Sequence, residues 1–177
     1  AGRRTVGIVA RQKDQAVVLR ALRSVATPVR LVLAGVPPDG PLGALARELP
    51  PPHSAVCLPF DRDIRPLYDL LDLVLLPSRT EGLSQSLLEA MALGKPVVAS
   101  AAGGNLDLIR DGADGLLVPP LDPGAWAAAI ERLLRDSALA AALGGAARRT
   151  ARDTFALRHT VERTHALYQA LAVPAKL

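Results

Sequence analysis

The sequence predicts an α/β fold: a Rossmann-like, doubly wound, six-stranded and mostly parallel sheet followed by additional C-terminal helices. Three observations carry this. Short runs rich in Val, Leu and Ile recur between residues 5 and 119, and they are continuous rather than alternating, as in strands covered on both faces. Helix-periodic segments separate them, the alternation that right-handed βαβ units produce. After Pro119-Pro120 the pattern becomes entirely helical.

In chain order, TVGIVA (5–10) is the first strand, and a helix over 14–25 places Val18, Leu22 and Val25 on one face. RLVLAG (30–35) is the second strand, and the turn PPDGP (37–41) leads into a short helix at 42–48. The loop PPP (50–52) precedes AVCLP (55–59), where Cys57 is expected as a buried, inert thiol. A helix at 63–70 leads to LDLVLLP (71–77). Asp61-Arg62-Asp63 before it reads as a helix cap rather than a metal-binding pair, because an Asp side chain accepts from the free N–H groups of a first turn. A helix at 86–93 ends at Gly94, and Pro96 opens PVVAS (96–100). A short helix at 105–110 leads to GLLVP (115–119). Asp122 caps a helix with Pro123 first and with Trp126, Ile130, Leu133 and Leu134 on one face. Helices at 136–151 and 157–172 follow, with Gly144-Gly145 a candidate break in the former. Trp126, Phe155 and Tyr168 are expected to pack in the core or between helices.

Composition narrows the function. With 177 residues the chain forms one domain, 1–177. Half of it is apolar and 21% is charged, which excludes disorder. Two Phe, two Tyr and one Trp are too few for a platform that stacks single-stranded nucleic acid. A net charge of +4 suits an anionic small ligand, and no nucleic-acid partner is expected. The lone cysteine excludes an internal disulfide and a Cys-based zinc site. There is no apolar run of about 18 residues and no signal-peptide pattern in AGRRTVGIVA, so a soluble cytoplasmic domain is expected. The Walker phosphate loop and Gly-x-Gly-x-x-Gly are both absent, against an NTPase or a nicotinamide-binding domain.

Open parallel sheets bind ligands at the carboxyl ends of their strands. Those positions are Arg11 to Asp14, Ser78 to Ser86 and Ala101 to Asn105. The middle one lies in PSRTEGLSQSLLEAMALGKPVVAS (77–100). A loop with Gly82, Ser84 and Ser86 can turn N–H groups inward at a helix N-terminus, where partial positive charge favours phosphate. Glu81 lies outside that helix and Glu89 about one turn inside it. Two carboxylates facing phosphate would be repulsive; facing hydroxyls, Glu81 suits a polyol and Glu89 a vicinal diol.

The arrangement Glu81, seven residues, Glu89, then Ala-Met-Ala-Leu-Gly-Lys-Pro-Val-Val-Ala-Ser resembles the retaining, nucleotide-sugar-dependent glycosyltransferases of GT-B fold, in the large glycosyl transferases group 1 family. LYDLLDLVLLPSRTEG (67–82), GGNLDLIRDGADGLLVPPLDP (103–123) and FALRHTVERTHALYQAL (155–171) extend the resemblance over nearly the whole chain. It implies one half of a GT-B fold: the donor-binding domain of a hexosyltransferase, inactive as an isolated domain, with the N-terminal acceptor-binding domain absent from these residues. In the family the first glutamate contacts the donor sugar and the second holds the ribose hydroxyls, which implies a catalytic Glu81 and a ribose-binding Glu89. Gly82, Leu83, Ser84 and Gln85 would face the donor sugar and diphosphate, and a basic pair at Lys13 and Arg11 would grip the diphosphate. The family spaces that pair further apart and follows the Lys with Gly. Here Arg11-Gln12-Lys13-Asp14 is a shortened loop, a departure that touches Arg11 more than Lys13. Asp107 stands where the family commonly has Glu, and Gly103-Gly104 would form a wall of the donor pocket.

The resemblance also implies a nucleotide-sugar partner and no metal or other cofactor. It places the parent enzyme in the cytoplasm, with membrane association at the inner face compatible, in polysaccharide or glycolipid biosynthesis. Two rivals stay open: a sugar-nucleotide epimerase of the same fold, and a non-catalytic nucleotide-sugar-binding module.

Overall fold

The computed structural model describes residues 2–11, 13–60 and 63–172. The chain runs β1 (Arg4–Val9), α1 (Gln15–Leu22), β2 (Val29–Ala34), α2 (Pro41–Arg47), β3 (Ser54–Leu58), α3 (Arg65–Leu70) and β4 (Leu73–Leu76). It continues α4 (Gln85–Ala92), β5 (Val97–Ser100), α5 (Asn105–Leu108), β6 (Leu116–Val118), α6 (Pro123–Arg135), α7 (Ser137–Thr154) and α8 (Leu157–Ala172). The strand order is β3-β2-β1-β4-β5-β6, and every pairing is parallel. The chain therefore winds outward from β1 to one edge and returns beside β1 with β4. Loops leaving β1 and β4 diverge there and open a crevice at the carboxyl ends of these two strands.

Ile8, Leu31, Leu33, Leu73, Val97 and Val98 are completely buried, so the central strands are covered on both faces and their sequences do not alternate. The edge strand β3 differs: Val56 is exposed and Cys57 only half-buried. This corrects the expected interior position of Cys57, since an edge strand has a neighbour on one side only. What burial there is pushes the thiol pKa up, against a smaller opposing effect of Arg47.

Several boundaries shift for local reasons. Helix α3 begins at Arg65, with Ile64 as its N-cap and no side-chain cap. Asp63 instead turns back on Arg65, accepting from its backbone N at 3.2 Å and its Nε at 3.0 Å; Asp61 and Arg62 lie outside the described residues. Helix α5 is a single turn. Helix α6 forms as expected: Asp122 accepts from the N–H groups of Gly124 (2.9 Å) and Ala125 (3.0 Å), and a fully buried Trp126 donates to Pro120 O at 3.2 Å. Phe155 is partly buried against the core. Tyr168 is 68% exposed, as are most large apolar side chains of α8, so its expected packing is not made among the described residues.

Gly144-Gly145 does not break α7, which runs unbroken through both residues. A Cβ on Gly144 would lie 2.3 Å from the Gly94 carbonyl oxygen, so the glycine is what lets α7 approach the turn after α4. At Gly145 a Cβ would meet only the end of the Arg149 side chain, at 3.8 Å. Alanine is the better helix former by about 1 kcal/mol, so Gly145→Ala should stabilise by roughly that amount. Gly144→Ala should destabilise despite the same propensity gain. Thermal melts of the two variants check this; a higher melting temperature for both would rule out the close approach.

Candidate donor-binding site

The crevice is built from three loops. After β1, the fully buried Gln15 clamps the first of them. Its Nε2 donates to Arg11 O at 2.8 Å and Ala10 O at 3.4 Å, while its Oε1 accepts from Lys13 N at 2.5 Å. Asp14 N donates to Pro77 O at 2.9 Å, and the Asp14 carboxylate receives Nε and Nη2 of Arg79, each at 3.1 Å. The loops after β1 and β4 are thus joined by a backbone bond and a two-point charge-assisted pair. Asp14, standing where the resemblance expects Gly, makes the second of these joins.

The join sets Lys13 Nζ 2.9 Å from Glu81 Oε1, and the Glu81 side chain is only 14% exposed. An ammonium carries three protons, so Lys13 can bind Glu81 and still donate to an anion. Behind Glu81 the third loop closes the wall. Gly103 has φ +55°, and Gly104 N donates to Glu81 O at 2.9 Å. A Cβ on Gly104 would fall 1.4 Å from the Gly82 carbonyl oxygen, so only glycine permits this contact. Asn105, fully buried, secures the same loop by donating to Ser100 O at 3.0 Å.

Between these walls lies the start of α4. Ser84 is its N-cap, its hydroxyl accepting from Leu87 N at 3.4 Å. That role leaves the Ser84 backbone N–H, rather than its side chain, to meet a ligand. The N–H groups of Gly82, Leu83 and Ser84 find no acceptor among the described residues. They sit at the positive end of an eight-residue helix. Leu83 and Gln85 are exposed beside them.

Glu89 is exposed on α4 between two grooves of about 590 and 520 Å³. Gln85, Arg148, Arg152 and Phe155 line the first; Asp63, Ile64 and Arg65 line the second. Tyr68 of α3, fully buried, places its hydroxyl 3.0 Å from Glu89 Oε2 and 2.9 Å from Ser86 O. Burial first, then the Glu89 charge and hydrogen bond, raise the Tyr68 pKa far above the usual phenol value. Arg11 lies elsewhere, on a groove of about 410 Å³ with Gly35, Pro37 and Phe60. Of the expected site residues, Lys13, Glu81 and the 82–85 loop therefore converge, Glu89 stands one turn on, and Arg11 points to a neighbouring groove. Gln12 lies outside the described residues. Among the described residues, no three His, Cys, Asp or Glu side chains are placed to hold a metal ion.

The description "Glycosyl transferases group 1" belongs to a family model that matches residues 4–136. The chain belongs to that family. It is 37% identical over 176 residues to a D-inositol 3-phosphate glycosyltransferase of Mycobacterium marinum, covering 93% of this chain and 37% of that protein. A Salinispora arenicola protein of the same name is 46% identical over 89 residues, half of this chain. Among solved structures, Anabaena Alr3699/HepE in complex with UDP-glucose superposes with a TM-score of 0.87 at 27% identity, over 96% of this chain and 50% of that one. The C-terminal domain of LpcC, a glycosyl transferase group 1 family protein from Francisella tularensis, shares the fold at a TM-score of 0.70 and 22% identity, over 87% of each chain. The chain thus spans about two fifths of the Mycobacterium relative and half of the Anabaena protein. No helix among the described residues is long and apolar enough to cross a membrane.

The polar residues that position the site, Gln15, Asp14, Arg79 and Tyr68, were the part that sequence reasoning missed. Gln15 shares a helical face with Val18 and Leu22, a signal that it is buried, but Asp14-Arg79 and Tyr68-Glu89 pair across elements and leave no local pattern.

Proposed function

We propose that this chain is the donor-binding half of a cytoplasmic glycosyltransferase that moves a sugar from a nucleoside-diphosphate sugar to an acceptor with retention of configuration. The observation that carries it is the pairing of Lys13 with Glu81 beside the unengaged N–H groups of Gly82 to Ser84. A diphosphate placed there meets an ammonium proton and a helix N-terminus, which stabilise the charge that develops as the sugar leaves, without calling on a metal. Glu81 then faces the donor sugar, Gln85 and Leu83 flank it, and Glu89 accepts from the ribose diol. Arg11 lines a separate groove with Gly35 and Phe60, so Lys13 rather than Arg11 carries the diphosphate role in this reading. The Anabaena neighbour's complex with UDP-glucose supports a donor of this class. Exposed Leu83 and Leu106 at the strand ends support a second, acceptor-binding domain that covers this face.

The test is titration of the chain with a panel of nucleotide sugars, read by saturation-transfer NMR. Half a cleft leaves charges screened by water, so a dissociation constant in the high micromolar to millimolar range is expected, roughly −4 to −6 kcal/mol. Glu89→Ala should weaken a nucleoside diphosphate about tenfold, the loss of a charge-assisted hydrogen bond. No sugar should reach an acceptor. Folded protein that binds no nucleoside diphosphate would refute the proposal, and turnover without an acceptor would favour an epimerase.

A further inference from the structure

We infer that Tyr68 is a positioning residue for the ribose site: its hydroxyl pins one oxygen of the Glu89 carboxylate, so that the other is presented to the vicinal diol and the site distinguishes ribose from deoxyribose. The inference rests on the ribose role proposed for Glu89. Glu89 is exposed on a helix surface, where a long side chain ordinarily samples many rotamers and a diol would have to order it on binding. Here Glu89 Oε2 accepts from Tyr68 at 3.0 Å, and Tyr68 itself cannot move. Its ring is completely buried, and its hydroxyl is also 2.9 Å from Ser86 O, in the first turn of the same helix. Both neighbours of that hydroxyl are acceptors that share its one proton, so the phenol is held as a donor, and no other described residue bonds to the Glu89 carboxylate. A carboxylate with one oxygen already bonded and oriented loses less freedom on meeting the diol, which strengthens ribose binding relative to a sugar without those hydroxyls.

The probes are UDP and its dideoxy analogue, which lacks both ribose hydroxyls, titrated against the chain, Tyr68→Phe, Glu89→Gln and the double variant. The chain should prefer UDP, and Tyr68→Phe should cut that preference by roughly three- to tenfold, less than the full worth of a hydrogen bond to a charged group, because Tyr68 orders the carboxylate without touching the ribose. Its affinity for the dideoxy analogue should be unchanged, and the substitution should be silent once Glu89 is Gln. A protein that discriminates while Tyr68→Phe discriminates equally overturns the Tyr68 assignment alone. Equal losses for both probes mean a structural role and overturn it too. Equal binding of both probes by the unmodified chain overturns the ribose role of Glu89, and the Tyr68 role with it. Should Tyr68→Phe unfold, the Tyr68 Cζ resonance serves instead: it should shift with Glu89→Gln and with UDP but not with the dideoxy analogue, and indifference to the first two overturns the assignment.

Discussion

Gly104→Ala is expected to cost about 3 kcal/mol or more, at the upper end of what overpacking a close contact costs. The new Cβ would lie 1.4 Å from the Gly82 carbonyl oxygen and 2.6 Å from its carbon. Both are backbone atoms, so no side-chain rotation relieves the clash, and one of the two loops must move. For a chain of this size the loss corresponds to a drop of roughly 10 °C in melting temperature. Movement of the Gly82 loop also draws Glu81 from Lys13, so donor affinity should fall in whatever protein remains folded. Gly82→Ala is the control: its added Cβ meets nothing within 4 Å, and it should stay within about 0.5 kcal/mol of the parent. Differential scanning calorimetry of both variants decides the matter, and matching melting temperatures would disprove the close contact.

Lys13→Ala should weaken nucleoside diphosphate binding roughly thirtyfold or more, the upper range for a charge-assisted hydrogen bond. Two effects add. The phosphates lose their ammonium donor, and Glu81, now without the partner at 2.9 Å, stands as an unpaired carboxylate beside them. The bare nucleoside, which meets neither charge, should bind as before. Adding Glu81→Gln to Lys13→Ala should recover part of the diphosphate affinity, because it removes the repulsion without restoring the attraction. Isothermal titration with both ligands measures each part; equal losses for nucleoside and diphosphate would mean that Lys13 acts through folding instead.

How much of this site was legible in advance follows from where its residues lie along the chain. Glu81, Gly82, Leu83, Ser84, Gln85 and Glu89 sit in one continuous segment, so their spacing on a strand, loop and helix can be read directly. Lys13 was placed near them through its position after the first strand, which the strand order makes adjacent to β4. Arg11 shared that local argument but lines another groove, a difference that position along the chain does not record. Gly144-Gly145 shows the same limit in the fold: as a local pattern it weakens a helix, and only the position of Gly94 reveals why α7 needs glycine there.

The order and type of elements were determined by the sequence alone, since hydrophobic period, capping and turn chemistry act between residues a few positions apart. The family was likewise written in one contiguous stretch of residues, and the fold class followed from both. Tertiary structure decided the contacts between segments remote in sequence: Asp14 with Arg79, Lys13 with Glu81, Tyr68 with Glu89, and Gly104 against Gly82. Each depends on which loops the parallel sheet sets side by side. A hydrogen bond or a close approach is selected by distance in space, and no periodicity along the chain records it.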